Sequence, residues 1–168
     1  MANLGKAALA GIVGTLAATT LYCIVPRFEG VVHRGYLDPV GAATKCSGDT
    51  HDVVVGQSYS PDECWESLNR QLMTHADDVL RCTPGLKDHS NQLAAAVSFA
   101  YSIGGTAYCK STTAKRFNEH DWRGACRAMN ESDDGRAQWV SLRISAMVIS
   151  RFGERDQSGR WCCAVNGL

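Results

Sequence analysis

The 168-residue sequence has no excess of charge of either sign: 17 Lys and Arg balance 17 Asp and Glu, for a formal net charge of zero. That withholds the basic stripe on which nucleic-acid binding depends, so no nucleic-acid partner is expected. The chain also lacks any CxxC pair, and its Cys and His residues are scattered, which argues against a structural zinc site. No metal and no cofactor are expected. Repeats and low-complexity linkers are absent too. Finally, charge is missing from Ala7 through Val25, between Lys6 and Arg27.

What is present fits one domain with an appendage. Apolar residues make up 45% and charged residues 20%, a globular balance in a chain long enough to bury a core. Eight cysteines in so short a chain point to an oxidising compartment and several disulfides. Connectivity cannot be read from spacing. Pairs 64/82 and 109/126 are entertained because each joins nearby segments.

The uncharged run from residue 7 to 25 would span about 28 Å as a helix, roughly one bilayer core. Its composition is weak for a permanent span: ten of these nineteen residues are Ala, Gly or Thr, and seven are Leu, Ile or Val. A cleaved signal peptide is one reading, although Leu16-Ala17-Ala18 is a poor cleavage site. A permanent anchor and a buried soluble helix are others. A segment that inserts and later leaves the membrane intact suits the low hydrophobicity best. Residues 1–25 are therefore set apart from a body at 26–168, and in soluble protein they are expected to lie ordered against it.

Within the body, residues 30–60 carry short apolar runs such as Val53-Val54-Val55 and turn signals at Asp38-Pro39 and Ser47-Gly48-Asp49, which predict a small sheet. Ser60-Pro61-Asp62-Glu63 predicts a helix start, and Trp65, Leu68, Leu72, Ala76 and Val79 recur at helical spacing until Thr83-Pro84-Gly85. Further helices are predicted from Asn91 to Ile103, ended by Gly104-Gly105, from Ser111 to Phe117, from Asp121 to Met129, and from Ala137 to about Arg151, with a turn at Asp134-Gly135. The fold class is α+β: a small β lobe joined to a larger helical lobe over residues 61–168, with an N-terminal helical segment. A cleft between two lobes suits a polymer substrate.

Two carboxylates stand near the lobe junction. Glu29 follows Phe28 at the end of the apolar run, where a carboxyl would have a raised pKa, as a general acid requires. Asp38 lies in a turn marked by Gly and Pro, where it would stay ionised. Two carboxyls with separated pKa values are the minimum for glycoside hydrolysis. Acids nine residues apart are nevertheless common, and most are solvated surface charges.

The stretch Phe28-Glu29-Gly30 … Tyr36-Leu37-Asp38-Pro39-Val40-Gly41 … Thr44 resembles the phage-type lysozymes, glycoside hydrolase family 24. Their signature is Glu, eight residues, Asp or Cys, five residues, Thr, and Glu29, Asp38 and Thr44 match it. Thr44-Lys45-Cys46-Ser47-Gly48-Asp49-Thr50, Ser98-Phe99-Ala100-Tyr101-Ser102-Ile103-Gly104 and Asp121-Trp122-Arg123-Gly124-Ala125-Cys126 are similar to further blocks of that family. Asp49 departs from the usual His or Glu, and Ser102 from the usual Asn. Arg151-Phe152-Gly153-Glu154-Arg155 only partly echoes the family's C-terminal pattern.

The resemblance implies a lysozyme-like fold and an endolysin acting on peptidoglycan glycan strands at the β-1,4 bond between N-acetylmuramic acid and N-acetylglucosamine, lysing the host at the end of phage infection. Glu29 would be the general acid, Asp38 would stabilise charge on the sugar ring, and Thr44 would hold a water. That is an inverting arrangement, with carboxyls about 6.5–9.5 Å apart. Tyr101, Ser102 and Gly104 are candidates to line the sugar cleft, although Tyr101 is equally readable as a core residue. Some family members resemble this chain in carrying a signal-arrest-release (SAR) segment. This implies a monomer first held by residues 7–25 in the host inner membrane facing the periplasm, then released to the periplasm. Cys23, within the segment, could then pair with Cys46 as a regulatory disulfide; its bland reading is a small apolar residue. The alternatives are a non-catalytic peptidoglycan-binding protein and a permanently membrane-tethered lysozyme-like protein.

Overall fold

The structure, a computed structural model, describes residues 2–131, with side chains from residue 7. The predicted turn at Asp134-Gly135, the helix from Ala137 and the 151–155 pattern lie outside the described residues. In chain order the elements are α1 (Ala2–Val13), α2 (Thr15–Glu29), β1 (Val32–Leu37), β2 (Ala43–Cys46), α3 (Pro61–Cys82), a 3-10 turn (Pro84–Leu86), α4 (Ser90–Ile103), α5 (Gly105–Cys109), α6 (Thr112–Asn118) and α7 (Trp122–Ala128). The expected small β lobe and larger helical lobe are both present.

The N-terminal segment forms two helices, bent by 116° at Gly14. Gly14 has φ +83°, a conformation that side chains rarely tolerate, so the break falls where the sequence permits it. Leu9 and Val13 of α1 and Ala17, Leu21 and Val25 of α2 are all buried, as the helical repeat of these residues demands. α1 packs on α3, and α2 on α4. No single helix among the described residues is long and apolar enough to cross a membrane; the bent pair passes together, by length and composition only. α2 continues through Pro26 to Glu29. Pro26 forfeits one backbone hydrogen bond, but the helix is held on both sides of it, by Val25 in the core and by the partly buried Phe28 packed against it.

α3 begins as the sequence predicts. The Ser60 side chain accepts from the Glu63 N–H while Glu63 reaches back to the Ser60 N–H, a full capping box. α4 is buried along its length from Gln92 to Ala100 and forms the centre of the helical lobe. Gly104 ends it, at φ +86°, but α5 starts immediately at Gly105, a helix that apolar periodicity alone does not reveal.

The β lobe is smaller than its apolar runs suggest. β1 and β2 pair antiparallel, with Tyr36 opposite Thr44 and Leu37 opposite Ala43. Val53-Val54-Val55 is not a strand; Val54 and Val55 are exposed in a turn. The two residues after it pair with β1 instead, where Gly35 donates to the Gln57 carbonyl and its own carbonyl accepts from Gly56, both at 2.8 Å. A Cβ at Gly35 would stand 2.2 Å from the Val54 carbonyl oxygen. Gly35→Ala should therefore force this lobe apart, costing roughly 3 kcal/mol, read as a drop in the urea midpoint.

The described disulfides differ from the pairs suggested by sequence proximity. Cys46 bonds Cys64, and Cys82 bonds Cys109, with Cα–Cα distances of 5.0 and 5.5 Å. The reason is geometric. Cys64 and Cys82 stand near opposite ends of the 22-residue α3, about 27 Å apart at ~1.5 Å per residue, far beyond disulfide reach. Cys126 is also disulfide-bonded, but not to Cys109. Replacing Cys46 and Cys64 by Ser should lower stability by about 3 kcal/mol through the loop it closes, measured by denaturation under oxidising conditions.

Candidate active site

Glu29 is the last residue of α2, and Gly30, at φ +75°, turns the chain from it toward β1. Its carboxyl reaches solvent at the lobe junction, yet enough protein surrounds it that desolvation raises its pKa; a hydrogen bond from Ser102 opposes the rise. The Ser102 hydroxyl lies 3.2 Å from Glu29 Oε1 and 3.3 Å from the Ser98 carbonyl. Position at a helix C-terminus also disfavours the ionised form. Glu29 thus combines access to solvent with surroundings that shift its titration upward.

Asp38 and Thr44 lie at the turn end of the β1–β2 hairpin. Asp38 Oδ1 accepts the N–H groups of Val40 at 3.0 Å and Ala42 at 2.8 Å, which fixes the carboxylate plane. The Asp38 N–H also donates to the Ala42 carbonyl. Thr44 is buried, and its hydroxyl donates to the same carbonyl at 3.1 Å. Since Tyr36 faces Thr44 and alternate residues share a face, Asp38 and Thr44 fall on one face of the hairpin. With its hydrogen committed to Ala42, the Thr44 oxygen retains lone pairs that can accept from a water.

The remaining predicted residues divide. Tyr101, half-buried, donates its hydroxyl to the Ser47 carbonyl at 2.6 Å and stacks edge-on against His75 at 5.5 Å. Burial, with Glu29 and Asp49 nearby, raises the phenol pKa well above its ordinary value, and burial lowers that of His75. Ser102 stands against Glu29, and Gly104 forms the break between α4 and α5. Cys23 is exposed and free, and Cys46 is bonded to Cys64, so the suggested Cys23–Cys46 pair is corrected: Cys46 has its partner on α3. Among the described residues no group of three or more His, Cys, Asp or Glu is placed to hold a metal ion.

Sequence reasoning flagged Asp49 as a departure but missed its partners. Its carboxylate, almost fully buried, accepts the Ser67 hydroxyl, Arg70 Nη2 at 3.0 Å and the His51 N–H at 2.9 Å, with Lys45 Nζ at 3.9 Å. The signal was Ser67 and Asn69, polar residues on the buried side of α3. Asn69 accepts a hydrogen bond from Tyr22 of α2, whose ring stacks on Trp65. The turn after Thr44, the first half of α3 and α2 are thus tied together by polar contacts.

The phage lysozyme family model matches residues 26–143, and the chain belongs to that family, a lysozyme-type glycoside hydrolase by class. Its overall shape is similar to the muramidase domain of SpmX from Asticaccaulis excentricus, with TM-score 0.62 at 22% identity over 77% of this chain and 90% of that one. It is likewise similar to the active form of P1 phage endolysin Lyz, with TM-score 0.63 at 16% identity over 83% and 89%. At these identities the likeness concerns the fold.

Sequence relatives narrow the class to phage endolysins of the SAR subtype. The SAR-endolysin of Bacteriophage PS119 is 33% identical over 132 residues, 76% of this chain and 74% of the relative. That of Enterobacteria phage P21 is 33% identical over 118 residues, 68% of this chain and 70% of the relative.

Proposed function

We propose that this endolysin hydrolyses the β-1,4 bond between N-acetylmuramic acid and N-acetylglucosamine in peptidoglycan, with inversion. Glu29 protonates the leaving oxygen, Asp38 stabilises the positive charge that develops on the sugar ring, and Thr44 with Asp38 orients the attacking water. The bond from the sugar carbon to the leaving oxygen breaks as the bond to water forms. The observation that carries this reading is a solvent-reaching Glu29 whose surroundings favour its protonated form. Activity is then present while Glu29 holds its proton and is lost as pH rises through its raised pKa. Tyr101, Ser102 and Gly104, at the C-terminal end of α4, border the sugar cleft beside it.

Purified peptidoglycan digested by the protein should yield new N-acetylmuramic acid reducing ends, first seen as the inverted anomer by proton NMR. N-acetylglucosamine reducing ends or anhydro sugars would replace this reading with another cleavage. Binding without any new reducing end would favour a non-catalytic glycan-binding role.

The restraint follows from continuity. Glu29 belongs to the same helix as most of the apolar segment, with only Pro26, Arg27 and Phe28 after Val25. While residues 7–25 lie in the inner membrane, with the body on the periplasmic side, Glu29 is held at the bilayer surface and cannot meet Ser102 on α4. On release, the segment bends at Gly14, packs on α3 and α4, and the monomer acts in the periplasm. Full lytic activity in a membrane-retained fraction would overturn this restraint, and a chain never found in the soluble periplasmic pool would identify a permanent anchor.

A further inference from the structure

We infer that Ser102 is the positioning residue of the general acid: its hydroxyl holds the Glu29 carboxyl in both of its protonation states. This deepens the proposed function and rests on Glu29 being the acid. Glu29 and Ser102 are separated by 73 residues and join the C-terminal ends of α2 and α4. The carboxyl sits on a long side chain open to solvent, and a proton donor must be held in one geometry if its transfer is to be efficient.

A hydroxyl suits both states because it donates and accepts. Before transfer, Glu29 carries the proton. Ser102 can then direct its own hydrogen to the Ser98 carbonyl, 3.3 Å away, and accept from the Glu29 O–H until the leaving oxygen of a bound substrate takes its place as acceptor. After transfer the carboxylate needs a donor, and the same hydroxyl rotates to Glu29 Oε1, 3.2 Å away. The Ser98 carbonyl is thus the alternative acceptor that makes the reversal possible. The last turns of α2 and α4 also carry Arg27 and Tyr101. Tyr101 of α4 donates to Ser47 and, with its pKa raised by burial and by Glu29 and Asp49, stays neutral over the working range.

The test compares native protein, Ser102→Ala, Ser102→Thr and Glu29→Gln on soluble peptidoglycan fragments, recording kcat and KM against pH. For Ser102→Ala, loss of the donor to the carboxylate should move the alkaline limb to higher pH. The acid-side kcat should fall roughly three- to tenfold, the worth of one hydrogen bond, with KM unchanged. Ser102→Thr, which keeps the hydroxyl, should restore both limb and plateau, an outcome that general loss of packing would not give. A raised KM with an unmoved limb would make Ser102 a sugar contact and overturn the proposal, as would a profile identical to native. Should Glu29→Gln retain native activity, the reading of Glu29 itself fails. An inactive Glu29→Gln with an unmoved Ser102→Ala profile removes the Ser102 proposal alone.

Discussion

Glu29→Gln should abolish clearing of Gram-negative cells stripped of their outer membrane, with a rate loss of at least ~10²–10⁴-fold from proton transfer alone. Gln has the same shape and can still accept the Ser102 hydrogen bond, but it has no proton to give to a leaving alkoxide. The same variant should be as stable as native protein or more so at neutral pH. The sign follows from linkage. Desolvation raises the folded-state pKa of Glu29 above its ordinary value, so the ionised carboxylate disfavours folding at pH values above the folded pKa. This penalty vanishes below the unfolded pKa, where both states are protonated. Melting temperatures of native and Glu29→Gln protein should therefore converge as pH falls through this range and separate, with the variant higher, toward neutrality. A variant that clears cells at the native rate would remove Glu29 from the chemistry. One that is inactive because it fails to fold would show itself in the same melting curves.

The candidate site was legible in the sequence to the extent that it is local. Glu29, Asp38 and Thr44 fall within sixteen residues, and the turn that fixes Asp38 is written in Asp38-Pro39-Val40-Gly41. Helix starts were legible for the same reason: the capping box at Ser60 and the cap at Ser111 are determined by neighbours in the chain. Contacts over longer separations were not. Ser102 reads as a cleft residue until α2 and α4 are seen to end side by side. The Val53–Val55 run reads as a strand because β-branched residues favour strands, but the Val54 carbonyl accepts from Gln57 in a turn and its N–H donates to the Tyr59 hydroxyl. The disulfides were the avoidable error. The length of α3 was already readable, and it excludes a Cys64–Cys82 bond by distance.

The N-terminal segment shows why composition left several readings open. Ala17 and Ala18 are too small to make a strongly hydrophobic span, yet they allow a helix to pack closely on a protein core, and both are buried. Tyr22 has a hydroxyl ill suited to a bilayer centre, and it donates to Asn69 of α3. The same features that weaken the segment in lipid therefore strengthen it against the body. Under the proposed release from the membrane, one sequence would serve both environments, and Gly14 supplies the bend of the packed form.

Asp49→Ala should lower stability by about 3 kcal/mol, near the lower end for removing one partner of a buried charged pair. The carboxylate is 3% exposed and joins the turn after β2 to α3. Its bond to Arg70 contributes little to this figure, because that side chain is more than half exposed and can rehydrate. The larger part comes from Lys45, whose side chain is only 11% exposed. Its ammonium keeps the carbonyls of His51 and Asp52 but loses the neutralising charge. The Ser67 hydroxyl, also buried, loses its acceptor. This diagnosis is testable by a double-mutant cycle: Lys45→Met should cost less in the Asp49→Ala background than in native protein, since the stranded charge has gone. Activity should fall with stability, because Thr44 directly precedes Lys45 and the Cys46–Cys64 bond then holds this turn to α3 without its polar tie. Additive costs for the two substitutions, read from urea midpoints, would show that Lys45 is not the group that Asp49 neutralises.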